Sequence, residues 1–229
     1  MNSFLELVRK DRRGKKMKFK KILYACIMGG ILFMLFGCNP RNNRAYLEKR
    51  IGTEMSRVYP TERLENLFDQ FPDGFKIRQS FMDGDDLFTV EIIARSKGEP
   101  ISGTVSKIGD NGIDKIFETN FQYQDGKYQF ANEADAAYWP YRGFLFEKLT
   151  LNQNILSTLD LEEKFYSMMN GDFELRYKVT NELINSFLGL GNSEQLSISL
   201  EGSNSNRGYY YSIAIKNTEG LYFTETVSD

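Results

Sequence analysis

Between Phe75 and Phe130 the apolar residues follow a two-residue period, interrupted by short links rich in Gly, Asp, Asn and Pro. Phe75 to Phe81, Leu87 to Ala94, Ile101 to Ile108, Ile113 to Tyr123 and Lys127 to Phe130 therefore read as strands, rich in Phe, Tyr, Ile, Val and Thr. The links Asp83-Gly84-Asp85, Lys97-Gly98-Glu99-Pro100, Gly109-Asp110-Asn111-Gly112 and Asp125-Gly126 carry hairpin-turn chemistry. A link this short cannot return the chain for a parallel pairing, so neighbouring strands run antiparallel as a meander.

The segments around the meander read differently. Leu47, Ile51, Met55 and Val58 recur at three- and four-residue steps and predict a helix that stops before Pro60. A second helix is expected from Thr61, as N-cap, through Leu64, Leu67, Phe68 and Phe71 to the Pro72-Asp73-Gly74 turn. The middle, Glu133 to Asn170, is read as two helices packed over the sheet. The first holds Tyr138, Trp139, Tyr141, Phe144 and Phe146, with Pro140 and Gly143 as breakers. The second holds Leu159, Leu161, Phe165, Met168 and Met169. A final β region follows: Phe173 to Val179, a short helix capped by Thr180 or Asn181, then strands at Leu196 to Glu201, Tyr209 to Lys216 and Leu221 to Val227. The fold class is α+β, with antiparallel meanders and packed helices. The order of elements suggests two sheet-plus-helix halves, without a repeat in the residues and without saying whether their strands share one sheet.

Ahead of this domain stands KKMKFKKILYACIMGGILFMLFGC, Lys15 to Cys38. Its uncharged run, Ile22 to Phe36, is 15 residues and as a helix would cover roughly 22 Å, short of a hydrocarbon core of about 30 Å. It reads as a signal segment behind a basic n-region. Leu35-Phe36-Gly37-Cys38 resembles the lipobox of bacterial lipoprotein precursors, in which the cysteine is acylated and becomes the new N-terminus. Phe36 is bulkier than the residue usual at its place. Residues 1–37 are thus expected to be a leader, with Met17 an alternative start. Residues 38–44 are a lipidated cysteine and tether through Asn39-Pro40-Arg41-Asn42-Asn43, and residues 45–229 the exported domain.

Charge divides at the same place. Residues 1–37 hold nine basic and two acidic side chains, which leaves 20 basic and 29 acidic in the remainder. An acidic body is the wrong electrostatic footprint for nucleic acid. Cys26 lies in the leader and Cys38 is the lipid site, so the 192-residue mature chain has no disulfide to use and must be held by its core.

Two terminal segments are similar to one family. Val58-Tyr59-Pro60 with Leu64-Glu65-Asn66-Leu67-Phe68-Asp69 resembles the "YP…LEDLYD" segment of staphylococcal tandem lipoproteins, also called the conserved staphylococcal antigen family. Leu196-Ser197-Ile198-Ser199-Leu200-Glu201-Gly202, Gly208-Tyr209-Tyr210 and Leu221-Tyr222-Phe223-Thr224-Glu225 resemble its terminal "LLLKG…GY…IYFTDS". The resemblance, which fades in the centre, implies a membrane-anchored, surface-exposed α+β lipoprotein on the extracytoplasmic face. Some members are linked to host-cell entry and immune stimulation, and no catalytic residue carries over.

The residues offer little chemistry. The chain has no histidine, hence no Ser-His-Asp triad and not the commonest zinc ligand. It has no G-x-S-x-G elbow and no phosphate-binding glycine loop. Asp83, Asp85 and Asp86 could suggest calcium, but lack the glycine and distal glutamate of an EF-hand loop, and read as a hairpin tip. The expectation is a protein that is not an enzyme and uses no metal or cofactor. Trp139, Tyr209 and Tyr211 are candidate partner-binding aromatics, core packing being the alternative. Two functions stay open: an anchored lipoprotein meeting a protein partner or host surface, and an envelope module holding a small molecule or lipid between sheet and helices.

Overall fold

The computed structural model describes residues 40–109, 112, 114–203 and 211–229. The chain divides into two units, residues 1–43 and Arg44–Asp229. Of the first, only a 3-10 turn at Pro40–Asn42 is described. The leader, the lipobox Leu35, Phe36, Gly37 and Cys38, and Tyr209 lie outside the described residues. Among the described residues no helix is long and apolar enough to cross a membrane.

The second unit is an α+β fold built on one ten-stranded antiparallel sheet. β1 (Phe75–Asp83), β2 (Asp86–Ala94), β3 (Ile101–Ile108), β4 (Lys115–Gln124) and β5 (Lys127–Phe130) form the first meander. β6 (Asp160–Tyr166), β7 (Asp172–Val179), β8 (Leu196–Ser203), β9 (Tyr211–Lys216) and β10 (Tyr222–Ser228) form the second. The strand order is β5-β4-β3-β2-β1-β10-β9-β8-β7-β6, so the two halves share one sheet and meet where β1 pairs antiparallel with β10. The turns follow their residues: at Asp125-Gly126 both central residues have positive φ, 52° and 77°, as a primed two-residue hairpin requires.

This order sets a topological problem. The first meander runs from the centre to one edge, and the second begins at the opposite edge. Nine strand spacings separate these edges, about 43 Å at roughly 4.8 Å each, and residues 131–159 must carry the chain across one face of the sheet. That face is the core. Phe75, Ile77 and Phe81 on β1, Val90 and Ile92 on β2, Ile213 and Ile215 on β9, and Phe223 and Val227 on β10 are all buried, while the alternate residues face outward.

Three helices share the core face with the connection: α1 (Arg44–Met55), α2 (Gln153–Thr158) and α3 (Glu182–Phe187). α1 buries Leu47, Ile51 and Met55, the stripe its spacing predicts. α2 and α3 start at Asn152 and Asn181, whose side chains accept from Ile155 N and Ile184 N, each at 3.0 Å. α1 and α2 touch closely at Gly52, where a Cβ would fall 2.4 Å from Gln153 N.

Three helical expectations are corrected. Leu159 to Met169 is not a helix: it is the edge strand β6 with the turn beyond it. An edge strand is paired on one side and solvated on most of its surface, so β6 shows no alternation, and its Glu and Lys residues mimic helix composition. The helix expected from Thr61 is a 3-10 turn at Leu64–Asp69; its N-cap position is Arg63, without a side-chain cap bond, and Thr61 N instead donates to Phe146 O at 2.9 Å. The aromatic segment around Trp139 forms two 3-10 turns, Glu133–Tyr138 and Leu145–Glu147. Its apolar character comes from crossing the core, not from a helical face.

Candidate functional site

Where residues 139–147 pass over the β1–β10 seam, two polar side chains rise from the core face of the sheet. Gln79 and Glu225 are directly paired across the seam, and neither is exposed. Glu225 Oε2 accepts from Leu145 N at 2.6 Å and Gln79 Nε2 at 3.1 Å; its Oε1 accepts from Phe146 N at 2.9 Å and the Tyr59 hydroxyl at 3.1 Å. Gln79 Nε2 also donates to Gly143 O at 3.2 Å, and its Oε1 accepts from Trp139 Nε1 at 2.7 Å. Burial pushes the Glu225 carboxyl up to about 7, against the pull of the four donors. Burial, then the Glu225 charge, raises the Tyr59 phenol well above its ordinary range.

A carboxyl displaced this far would mark a reactive group if substrate could reach it. Glu225 is sealed, and all its donors are protein groups. Its role is to satisfy backbone N–H groups that irregular chain would otherwise bury unpaired. Glu147 repeats the device nearby: it accepts from Phe144 N at 2.7 Å and the Tyr128 hydroxyl at 2.9 Å, and burial raises its carboxyl.

The accessible feature is a cleft of about 440 Å³ on the second half. Its walls are α2, α3, the residues 148–151 leading into α2, and the core face of β7 and β8. Ile155 and the nearly buried Leu149, Leu151, Leu156, Ile184 and Ile198 supply apolar lining, with Lys148 beside them; Lys178 adds to the wall from β7, but its side chain lies on the outer face of the sheet, 3.6 Å from Glu162. The wall is braced from α1: Arg44 Nη2 donates to Leu159 O at 2.9 Å and Ser157 O at 3.3 Å, satisfying carbonyls at the end of α2. Arg44 Nε donates to Glu48 at 2.7 Å, which also accepts from the hydroxyl of Tyr177, a lining residue, at 3.2 Å. Burial, reinforced by Glu48, raises the Tyr177 phenol.

A second concavity, of about 960 Å³, lies over the outer face of β2 to β5. It is an open trough of mixed charge and amides, including Glu91, Lys115, Glu118, Asn120 and Gln122, and nothing in it converges on a single point.

Of the residues singled out for partner binding, Tyr209 lies outside the described residues and the other two are buried. Trp139 is completely buried, its ring packed on Phe121, Tyr128 and Phe144. Tyr211 is buried edge-on to Phe71. Both are core residues, so the packing alternative holds for them. Exposed apolar side chains occur instead at the β6–β7 hairpin: Phe165 is 57%, Met168 79% and Met169 99% exposed. Asp83 and Asp86 close the β1–β2 hairpin as a register pair, and Lys107 lies 2.6 Å from Asp86. Among the described residues no group of three or more His, Cys, Asp or Glu side chains is placed to hold a metal.

Glu225 and Gln79 left a readable trace. Phe223-Thr224-Glu225-Thr226-Val227 and Ile77-Arg78-Gln79-Ser80-Phe81 each put a polar residue at a core-facing position between two apolar ones. The cleft left none, because it depends on how far apart α2 and α3 stand. No protein-family model matches this chain, and no curated protein matches it in sequence.

Proposed function

We propose that this chain is an exported, lipid-anchored, non-enzymatic envelope protein whose domain binds a small apolar molecule or lipid in the cleft between α2, α3 and the sheet. The observation that carries the reading is the cleft itself. At about 440 Å³ it falls in the range of small-molecule sites, and half of the residues that line it are Leu or Ile. The most perturbed carboxyl, Glu225, is closed to substrate, which supports a binding role over catalysis. Lipobox residues Leu35 to Cys38 and the preceding apolar run support anchoring on the extracytoplasmic face. The tandem-lipoprotein resemblance supports the same placement. Its two terminal segments meet in the fold, where Tyr59 of the first donates to Glu225 of the last.

The test has two parts. Cys38→Ser should leave precursor unprocessed or release the protein from the membrane, read by intact mass of the membrane fraction; a mature N-terminus elsewhere overturns the anchor. The apolar fluorophore 1-aminoanthracene should bind the chain from Asn39 onward at a single saturable site that Ile155→Trp removes. No saturable binding overturns the cleft reading. The exposed Phe165, Met168 and Met169 tip favours a second reading, contact with a protein partner or host surface, which Met168→Glu with Met169→Glu would weaken without altering ligand binding.

A further inference from the structure

The β6–β7 hairpin carries apolar side chains that the fold does not use. Phe165, Met168 and Met169 are exposed, so they add little to the core, and an edge hairpin is ordinarily finished with polar residues. The register fixes what stands around them. Phe165 is paired with Glu174, and Glu174 with Glu201 on β8. Phe173 and Leu175 on either side of Glu174 are buried, so Phe165, Glu174 and Glu201 share the outer face of the sheet. Glu163, opposite Arg176, and Asp172, opposite Ser203, belong to the same face. Arg176 answers two of these four carboxylates, at 2.5 Å from Glu163 and 2.8 Å from Glu174, and the group remains net negative.

This acidic flank selects among the surfaces that an apolar tip could meet. An anionic bilayer and a second copy of this chain would each bring negative charge to it, and like charges across an interface cost affinity. A cationic partner is complementary. Methionine, unbranched and polarisable, suits a surface that receives apolar side chains without a fixed shape.

We infer that the β6–β7 hairpin and the outer face beside it bind a cationic amphipathic peptide. Its apolar residues pack on Phe165, Met168 and Met169, and its Lys or Arg residues lie along Glu163, Asp172, Glu174 and Glu201. A basic helix with apolar side chains at three- and four-residue steps has this character. The step rests on the second reading of the tip given above and is independent of the cleft. The contact is one-sided and small, and belongs with transient encounters that bury less than about 1,200 Å².

The experiment uses the full chain, processed and anchored in vesicles of phosphatidylcholine, which carries no net charge. Three probe peptides of about 14 residues, long enough for a helix, are compared: Leu with Lys at helical spacing, Leu with Glu at the same spacing, and Ser with Lys. Hydrogen peroxide oxidises an exposed methionine to its sulfoxide, giving up one oxygen and leaving water. Mass spectrometry reads the rate at Met168 and Met169, with the buried Met55 as reference. At roughly 100 µM, suited to a weak encounter, the Leu–Lys peptide should slow oxidation at both positions several-fold. The protection should fade between about 0.05 M and about 0.5 M salt, and Phe165→Ser or Glu201→Lys should remove it. Both positions are exposed, and an unchanged melting temperature identifies a sound variant; the salt dependence tests the charge on the parent chain alone. Equal protection by the Ser–Lys peptide overturns the apolar contact. Equal protection by the Leu–Glu peptide overturns the cationic assignment and leaves the tip-contact reading standing. Protection by phosphatidylglycerol vesicles without peptide assigns the tip to lipid and overturns the peptide. Displacement of 1-aminoanthracene by the Leu–Lys peptide moves the site to the cleft and overturns it as well. Protection by no peptide overturns the inference, and the tip-contact reading is then judged by the Met168→Glu with Met169→Glu variant alone.

Discussion

Replacing Gly52 by Ala sets two effects of opposite sign against each other. At an exposed helix interior the change stabilises a protein by about 1 kcal/mol, because alanine gives up less backbone entropy. Gly52 lies within α1, but its position is not exposed. A Cβ there would lie 2.4 Å from Gln153 N, 2.7 Å from Gln153 Cα and 2.9 Å from Asn152 C, where ordinary contact starts at 3.4 Å. All three atoms are backbone, fixed by the Asn152 cap of α2, so no side chain can swing aside. α1 must retreat by about 1 Å, which forfeits a quarter to a half of each dispersion contact made by Leu47, Ile51 and Met55. Overpacking of this kind costs typically 1–3 kcal/mol; three backbone contacts put Gly52→Ala at the upper end, about 3 kcal/mol, and deducting the propensity gain of about 1 leaves an expected loss of about 2 kcal/mol. Urea unfolding of the chain from Asn39 onward measures it, as a lower midpoint at unchanged slope. Thermal unfolding should fall by about 4–8 °C for a domain of this size. Gly191→Ala is the control: nothing stands within 4 Å of its Cβ position, and its effect should stay within about 0.5 kcal/mol. A Gly52→Ala protein that is more stable than the parent would refute the packing argument. Because Asn152 and Gln153 begin the helix that walls the cleft, the same variant should also bind 1-aminoanthracene less tightly.

Three further outcomes are expected. Since burial raises the Glu225 carboxyl from 4.5 to about 7 in the folded state, its contribution to stability is fully present below pH 4.5 and is lost as pH rises through 7; the loss amounts to about 3 kcal/mol. Urea midpoints across that window should fall for the parent, and the fall should be largely removed in Glu225→Gln; an equal slope in both would place the titration elsewhere. Phe68, buried against Phe75 at 4.9 Å between ring centroids, should cost on the order of 3 kcal/mol on truncation to Ala, and a loss under 1 kcal/mol would contradict its core position. Chelator should leave the melting temperature unchanged, whereas calcium-dependent stabilisation abolished by Asp85→Asn would turn the β1–β2 hairpin tip into a metal site.

Local chemistry made most of the fold legible. Ile101 to Ile108 and Lys127 to Phe130 are strands at the boundaries their alternation marks, and of the two caps the sequence offers, Thr180 and Asn181, Asn181 is the one that caps α3. The failures share one cause, which is that the reading took each segment without its neighbours. β6 carries the composition of a helix and becomes a strand because β7 offers it a ladder. Trp139 and Tyr211 belong to residue types that mark interfaces as readily as cores, and only the path of the chain decides between these. Gly103 and Gly202 were not singled out for the same reason. Each stands opposite a phenylalanine on a neighbouring strand, Phe121 and Phe173, whose ring reaches within 2.6 Å of where a Cβ would stand.

The strand order accounts for both the buried carboxylate and the cleft. Ending one meander at one edge and starting the next at the other obliges residues 131–159 to cross the core face. Irregular chain in that place brings unpaired N–H and C=O groups into the interior. Helices would have satisfied them internally, but Pro140 and Gly143 interrupt the segment, so the sheet supplies the partners at the midpoint of the crossing. Glu225 and Gln79 are therefore polar because the chain above them is irregular, and no reaction is needed to explain them. The cleft arises at the end of the same crossing. There the chain must turn down to the sheet edge, and it does so as the six-residue α2, while the equally short α3 comes up between β7 and β8. Two helices of that length cover Ile198 and Leu200, which are 5% and 1% exposed, but leave a space between them, and its inner side is apolar because the sheet beneath is built as core. What a space of that origin offers a ligand is shape and apolar contact, which is what the fluorophore and the Ile155→Trp variant test.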